Sequence, residues 1–157
     1  MATNDRIYID EKFLPLADQL VKRQIPGTER VEGVFTDTKE LVVFAAGLGY
    51  RNKRTHELQK NGREIKLSAI SRIKLGGSDI VDSMAVAVDG SVTILHPDNE
   101  KQRAEIFESY VNGGLSYLEG MVDEDKTALQ VIATVVKREH DPEASKDEAI
   151  NLLSQRV

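Results

Sequence analysis

The chain has 157 residues, a formal charge of −5, and neither cysteine nor tryptophan. That length fits one domain able to bury roughly two thirds of its unfolded surface, in a core built from Val, Ile, Leu and Ala. The lack of cysteine excludes disulfides, thiolate nucleophiles, iron–sulfur clusters and cysteine zinc sites.

In chain order, Arg6–Ile9 reads as a short extended segment with Ile7 and Ile9 on one face. Asp10 is placed to cap a helix over about Glu11–Gln24, with Pro15 in its first turn and Ile25-Pro26-Gly27 as its stop. A polar connector, Thr28–Phe35, precedes a helix start at Thr36–Glu40. The run Leu41–Leu48 is apolar nearly all round, which predicts a central helix with Phe44 buried. A basic loop follows from Arg51, Asn61-Gly62 carries a turn signal, and Lys66–Lys74 reads as strand or helical turn. A helix is expected over Asp79–Val88, with Ser78 or Asp79 as its cap and Ile80, Met84, Ala87 and Val88 inward, and an extended piece over Val92–Leu95. Pro97-Asp98 opens a long helix to about Val122, whose stripe is Ile106, Tyr110, Val111, Leu115, Leu118 and Val122. Gly113-Gly114 inside that stripe implies a kink, a break or tight helix packing, since each glycine costs about 1 kcal/mol in a helix. After a charged turn at Asp123–Asp125, a helix over Lys126–His140 should turn Leu129, Ile132, Ala133 and Val136 inward, ending before Pro142.

The fold class expected is mainly α: a compact multi-helix single domain over 1–142 with a minor short β element near Ile65–Leu67 and Val92–Leu95. Residues 143–157 form a tail with one amphipathic stretch, Ala149–Leu153, suited to fraying or docking on a partner. The alternative is a ribbon–helix–helix-like start plus a helical extension, in which paired strands would present Arg6 and Tyr8 outward. No apolar run approaches the roughly 20 residues that cross a bilayer. The N-terminus also lacks the basic-then-apolar pattern of a secretory signal, so a cytoplasmic protein is expected.

Charge is unevenly placed. Arg51, Lys53, Arg54, Lys60, Arg63, Lys66, Arg72 and Lys74 face only Glu57 and Glu64 within Arg51–Lys74, a local charge of +6 against −11 for everything else. Dense like charges repel unless something opposes them, and the commonest partner of such a cluster is a nucleic-acid backbone. The competing reading is a solvated loop neutralised by acidic groups of the same molecule or its oligomer mate. These eight residues are the candidate nucleic-acid-binding set. Only Tyr50 adjoins them in sequence, so base stacking is a minor theme. His56, His96 and His140 stand alone without metal-ligand spacing, and a proton-transfer role for His56 on a phosphate has little support. Asp123, Glu124 and Asp125 read as a charged turn before a metal site. No phosphate-binding loop, nucleophile elbow, metalloprotease helix or calcium loop is present, and no cofactor or metal is expected.

The stretch from Lys39 to Thr55, KELVVFAAGLGYRNKRT, together with Tyr110-Val111-Asn112-Gly113-Gly114-Leu115 and the "RIxI" start, resembles the DNA phosphorothioation-associated protein 4 family over about residues 6–122. Gly47 departs from the pattern, where alanine or leucine would suit a helix better, and so does the polar insert Gln59–Arg63. The resemblance implies a non-enzymatic accessory protein of a bacterial DNA-modification and anti-phage defence system. It would bind duplex DNA, or a DNA-bound complex of that system's proteins, through the basic segment. Two other functions compete: a protein adaptor or regulatory subunit without DNA contact, and a phosphoryl-transfer enzyme such as a nuclease, which lacks a carboxylate cluster near the lysines. Homo-oligomerisation stays open.

Overall fold

A computed structural model describes residues 5–71, 77–122 and 126–140. The expected caps Ser78 and Asp79 fall where side chains are not described, and the turn at Asp123–Asp125, Pro142 and the tail lie outside the described residues. The architecture is mainly α with minor β, as the sequence predicts. Strand β1 (Arg6–Asp10) leads through a 3₁₀ turn (Glu11–Phe13) into α1 (Leu14–Leu20). A short ribbon, β2 (Arg23–Gln24) and β3 (Val31–Glu32), precedes α2 (Thr38–Arg51). Then come β4 (Asn61–Lys66), α3 (Leu67–Ser71), α4 (Gly77–Asp89), α5 (Glu100–Glu119) and α6 (Ala128–His140).

The crossing of α2 over α5 organises the core. Asp37 caps α2 by accepting from the Glu40 N–H at 3.0 Å, while the Glu40 carboxylate accepts from the Thr36 N–H at 2.9 Å. This reciprocal pair sets the helix start. At the crossing, three glycines replace side chains with backbone. A Cβ on Gly114 would fall 2.9 Å from the Ala45 Cα, one on Gly113 2.8 Å from the Thr55 Cα, and one on Gly49 2.9 Å from the Gly114 N. These separations are too short for real atoms, so the helices meet only because no Cβ intervenes. Of the outcomes that Gly113-Gly114 implies, tight packing is the one realised: α5 runs unbroken through both.

β1 pairs antiparallel with β4, with Ile7 opposite Ile65 and Tyr8 opposite Glu64. Ile7, Ile9 and Ile65 point into the core. The other edge of β1 is closed by α5: the Tyr8 N–H donates to Glu108 Oε2 and the Asp10 N–H to Asn112 Oδ1, both at 2.8 Å. Asn112 Nδ2 donates back to the Tyr8 carbonyl at 3.0 Å. Both edges of β1 are therefore engaged within the chain, which overturns the ribbon–helix–helix alternative: no edge is left for a second copy's strand.

Several local expectations need correction. The first helix ends at Leu20, not Gln24, because the Val34 and Phe35 N–H groups both bond the Leu20 carbonyl and draw the chain into an extended bridge. Ile25–Gly27 turns the short ribbon, with Gly27 at φ +80, so Val31 and Glu32 of the polar connector are strand. Asn61-Gly62 is no hairpin turn. It opens β4 at a register irregularity opposite Ile9 and Asp10, where a Gly62 Cβ would sit 2.8 Å from the Glu11 N. Val92–Leu95 is a 3₁₀ turn, capped by Ser91 Oγ on the Thr93 N–H. Its carbonyls are taken by the side chains of Asn99 and Arg103, which leaves no ladder for a strand. The inward faces of two helices are rotated from those expected. On α4, Val81, Met84 and Ala85 are buried while Ala87 and Val88 are exposed. On α6, Val131, Ile132 and Val135 are buried, Ala133 is exposed, and Leu129 and Val136 are 66% and 50% exposed. Phe44 is only partly buried. The helical pitch puts Leu41, Val42, Ala45 and Leu48 against the core and leaves Phe44 with Val43 on the flank, its ring tilted against Phe35 at 5.2 Å.

Candidate nucleic-acid interface

The basic residues scatter over three places. Lys60 and Arg63 lie at the start of β4, facing the first helical turns. Lys60 Nζ meets Glu11 Oε2 at 2.7 Å, and Arg63 Nη2 meets Asp18 Oδ1 at 2.7 Å and reaches Thr38 Oγ1 at 3.5 Å with Nη1. The Glu11 carboxylate holds the Lys60 ammonium above the ordinary lysine value by hydrogen bond and charge. Lys66 projects from the opposite, solvent face of the β1–β4 pair, level with Arg6, and its side chain has no ion pair among the described residues. Arg72 and Lys74 lie outside the described residues.

The third place is the knuckle after α2. Arg51 is tied to Glu139 of α6, by an ion pair to its carboxylate and a hydrogen bond to its carbonyl. Asn52 Nδ2 caps the Leu48 carbonyl at 2.8 Å and also reaches Glu139 Oε1 at 3.0 Å. Lys53 turns the chain in a left-handed conformation, φ 51, and its ammonium has no partner among the described residues. The Arg54 N–H closes the helix end on the Gly49 carbonyl at 2.8 Å. Its guanidinium lies exposed over the Tyr117 ring, 5.9 Å from the centroid, with Nη2 on Ser116 Oγ at 3.1 Å. Thus Arg51, Lys60 and Arg63 are paired with carboxylates within the molecule, while Lys53, Arg54 and Lys66 have no carboxylate partner among the described residues.

The loop beyond the knuckle is held from below. Asp10, 2% exposed, accepts from the Gln59 N–H at 2.8 Å and the Lys12 N–H at 3.2 Å, and faces His56 Nε2 at 3.4 Å. Burial alone would raise this carboxyl. The two N–H groups and His56 outweigh it and hold the carboxyl below the ordinary aspartate value. His56 stands edge-on to Phe13 at 5.1 Å, and its backbone N–H bonds the Ser109 carbonyl at 3.0 Å. These contacts make it an anchor of the loop. No group of three or more metal-ligating side chains occurs among the described residues, and no helix there is long and apolar enough to cross a membrane.

Sequence reasoning missed what the fold brings to the knuckle from a distance. Tyr110 and Tyr117, two turns apart on α5, flank the glycine notch across which the Arg54 backbone passes. Tyr50 stands edge-on to Tyr110 at 5.7 Å. The seven-residue spacing of Tyr110 and Tyr117 was the available signal, but nothing local linked it to Arg54. Two grooves also open beside α6. One, about 390 Å³, is lined by Val43, Phe44, Gly47, Val135 and Val136, with Arg51 and Glu139 at its end. The other, about 630 Å³, lies between the short ribbon and the start of α6, with Arg23, Arg30 and Lys126 at its wall.

The fold and the knuckle define a small helical domain clasping the β1–β4 pair, with an exposed pair of cations at a tight helix crossing. The chain matches, over residues 17–155, the family described as DNA sulphur modification system-associated protein 4, and it belongs to that family. The match begins inside α1 and spans the whole basic segment and the Tyr110–Leu115 element. The "RIxI" start lies before it. No curated protein and no solved structure matches the chain.

Proposed function

We propose that the protein is a non-enzymatic accessory component of a DNA sulphur-modification system, and that it contacts DNA phosphates through Lys53 and Arg54, with Lys66 as an outlying contact. The observation that carries this reading is the exposed knuckle itself. Within a segment whose other described cations mostly have acidic partners, Lys53 and Arg54 are adjacent, exposed and without a carboxylate partner among the described residues, on a loop fixed by the Asp10 and Gly113 contacts. A rigid pair of cations displaces counterions from a phosphate backbone without ordering a flexible segment. The test is binding of a labelled duplex at low salt by the wild type and by Lys53→Ala/Arg54→Ala. The proposal expects binding by the first and its loss or marked weakening in the second.

A second reading has its own observation. Arg51, Lys60 and Arg63 are satisfied internally, and the groove between α2 and α6 exposes apolar floor to solvent. Both fit a protein adaptor that docks on another component of the system. Capture of that component by the wild type, lost on Val136→Asp but kept in the Lys53/Arg54 double variant, would favour it.

A further inference from the structure

We infer that the knuckle takes unpaired, single-stranded DNA in preference to duplex, with Tyr50 as a base-stacking station beside the Lys53 and Arg54 cations. The inference rests on the phosphate-contact reading above and specifies the form of DNA.

Among the described residues the fold gathers three of the chain's four tyrosines around this one pair of cations. Tyr50, on the last turn of α2, is 44% exposed. Tyr110 packs against it in a T-shaped contact, ring centroids 5.7 Å apart and planes at 67°. The exposed part of the Tyr50 ring is the surface offered to a stacking base. Seven residues further along α5, about 10 Å at the helical rise, Tyr117 lies under the Arg54 guanidinium. That planar cation, braced by the ring and by Ser116 Oγ, offers a second flat surface toward solvent.

A duplex has little use for such surfaces, since its base faces are stacked on one another and only its edges and backbone are presented. A single strand presents both phosphates and π-faces, and alternating cations and aromatic planes is the usual solution to binding it. Among the described residues, Glu139 is occupied by Arg51 and Asn52, while Glu57 in the adjoining loop and Glu119 on the last turn of α5 are exposed carboxylates. Lys53, in its left-handed turn, stands between Tyr50 and Arg54 in the chain and adds an exposed cation to the same loop.

The experiment compares a fluorescein-labelled oligothymidine with a duplex of equal length by anisotropy at fixed low salt, for the wild type, Tyr50→Ala, Tyr50→Phe and Lys53→Ala/Arg54→Ala. The chain has no tryptophan, so its intrinsic emission is tyrosine's, and quenching on titration with unlabelled oligothymidine reads stacking directly. The inference expects tighter binding of the single strand than of the duplex. It also expects a loss of about fivefold or more in single-strand affinity in Tyr50→Ala, rescue by Tyr50→Phe, and unchanged duplex binding in both. It is overturned if the duplex binds as well as the single strand, or if Tyr50→Ala weakens both equally or neither. Duplex binding that depends on Lys53 and Arg54 while Tyr50→Ala is silent would sink this inference and leave the phosphate-contact reading standing. Absence of binding to either DNA would remove both.

Discussion

Asp10 shows how much a single buried carboxylate does in this molecule. It ends β1, caps the 3₁₀ turn through the Lys12 N–H, and holds the loop behind the knuckle through Gln59 and His56. Removing its oxygens strands two part-buried N–H groups, so Asp10→Ala should cost about 1.5–3 kcal/mol at neutral pH, the range for hydrogen bonds to a charged group. The direction with pH follows from the lowered native value. The folded carboxyl binds its proton less readily than the unfolded one, so its contribution is full above the ordinary 3.8 and is lost as the pH falls through the lower native value. Glu108 runs the other way. Burial pushes it up, against the pull of the Tyr8 N–H, and nearby Glu105 adds to the rise. Its charged form is thus a penalty that lessens as the pH falls through its raised native value toward 4.5. Chemical denaturation from pH 7 to pH 3 should therefore show the wild-type advantage over Asp10→Ala narrowing below about pH 4. An advantage unchanged by pH 3 would mean that the carboxylate is not what holds the loop.

At the scale of elements, the crossing of α2 and α5 is the part of the fold the sequence announced most clearly. Gly47-Leu48-Gly49 at the end of α2 permits close approach or a C-terminal cap, and the paired glycines of α5 a kink, a break or tight packing, but nothing in either segment says that they approach each other. The energetics separate these glycines. Gly114→Ala must push a methyl into the Ala45 backbone and should cost about 1–3 kcal/mol or more, as overpacking does, because backbone cannot yield as a flexible side chain would. Gly47 has nothing within 4 Å of where a Cβ would stand, so Gly47→Ala should stabilise by about 0.5–1 kcal/mol through helix propensity. Thermal melts of the two variants should move in opposite directions, and parallel shifts would place the crossing elsewhere. Phe44 illustrates what periodicity cannot decide. An all-apolar run has no polar face to mark the outside, so the partly exposed flank of α2 was invisible in sequence. Phe44→Ala should consequently cost about 1–2 kcal/mol by denaturant titration, below the about 3–5 kcal/mol of a fully enclosed phenylalanine. The faces of α4 and α6 were misread for a related reason: each carries more apolar positions than its neighbours cover, leaving Val88, Leu129 and Val136 to solvent.

For the whole molecule, the charge asymmetry of the sequence resolves into two populations that linear order could not distinguish. Glu11, Asp18 and Glu139 are remote from the segment in sequence, by 49, 45 and 88 residues for Lys60, Arg63 and Arg51. The fold returns each to a cation, so three of the segment's eight cations are paired within the chain. Among the described residues, Lys53, Arg54 and, on another face, Lys66 are left without a carboxylate partner. Likewise the tyrosines that make the knuckle more than a charged corner come from α5, and only the tight glycine crossing brings them there. The central claim is that this knuckle, rather than the basic segment as a whole, meets DNA phosphate. Exposed ion pairs contribute little to stability, so charge-removing variants can be compared without unfolding the protein. The most direct measurement is the slope of log affinity against log salt for oligothymidine and duplex, in the wild type, Lys53→Ala/Arg54→Ala and Lys60→Ala/Arg63→Ala, each checked by a melt. The account predicts that the first double variant lowers the slope by about one unit per lost phosphate contact, while the second leaves it near wild type. Equal slopes in wild type and Lys53→Ala/Arg54→Ala, or a wild type that binds neither DNA at any salt concentration, would contradict it.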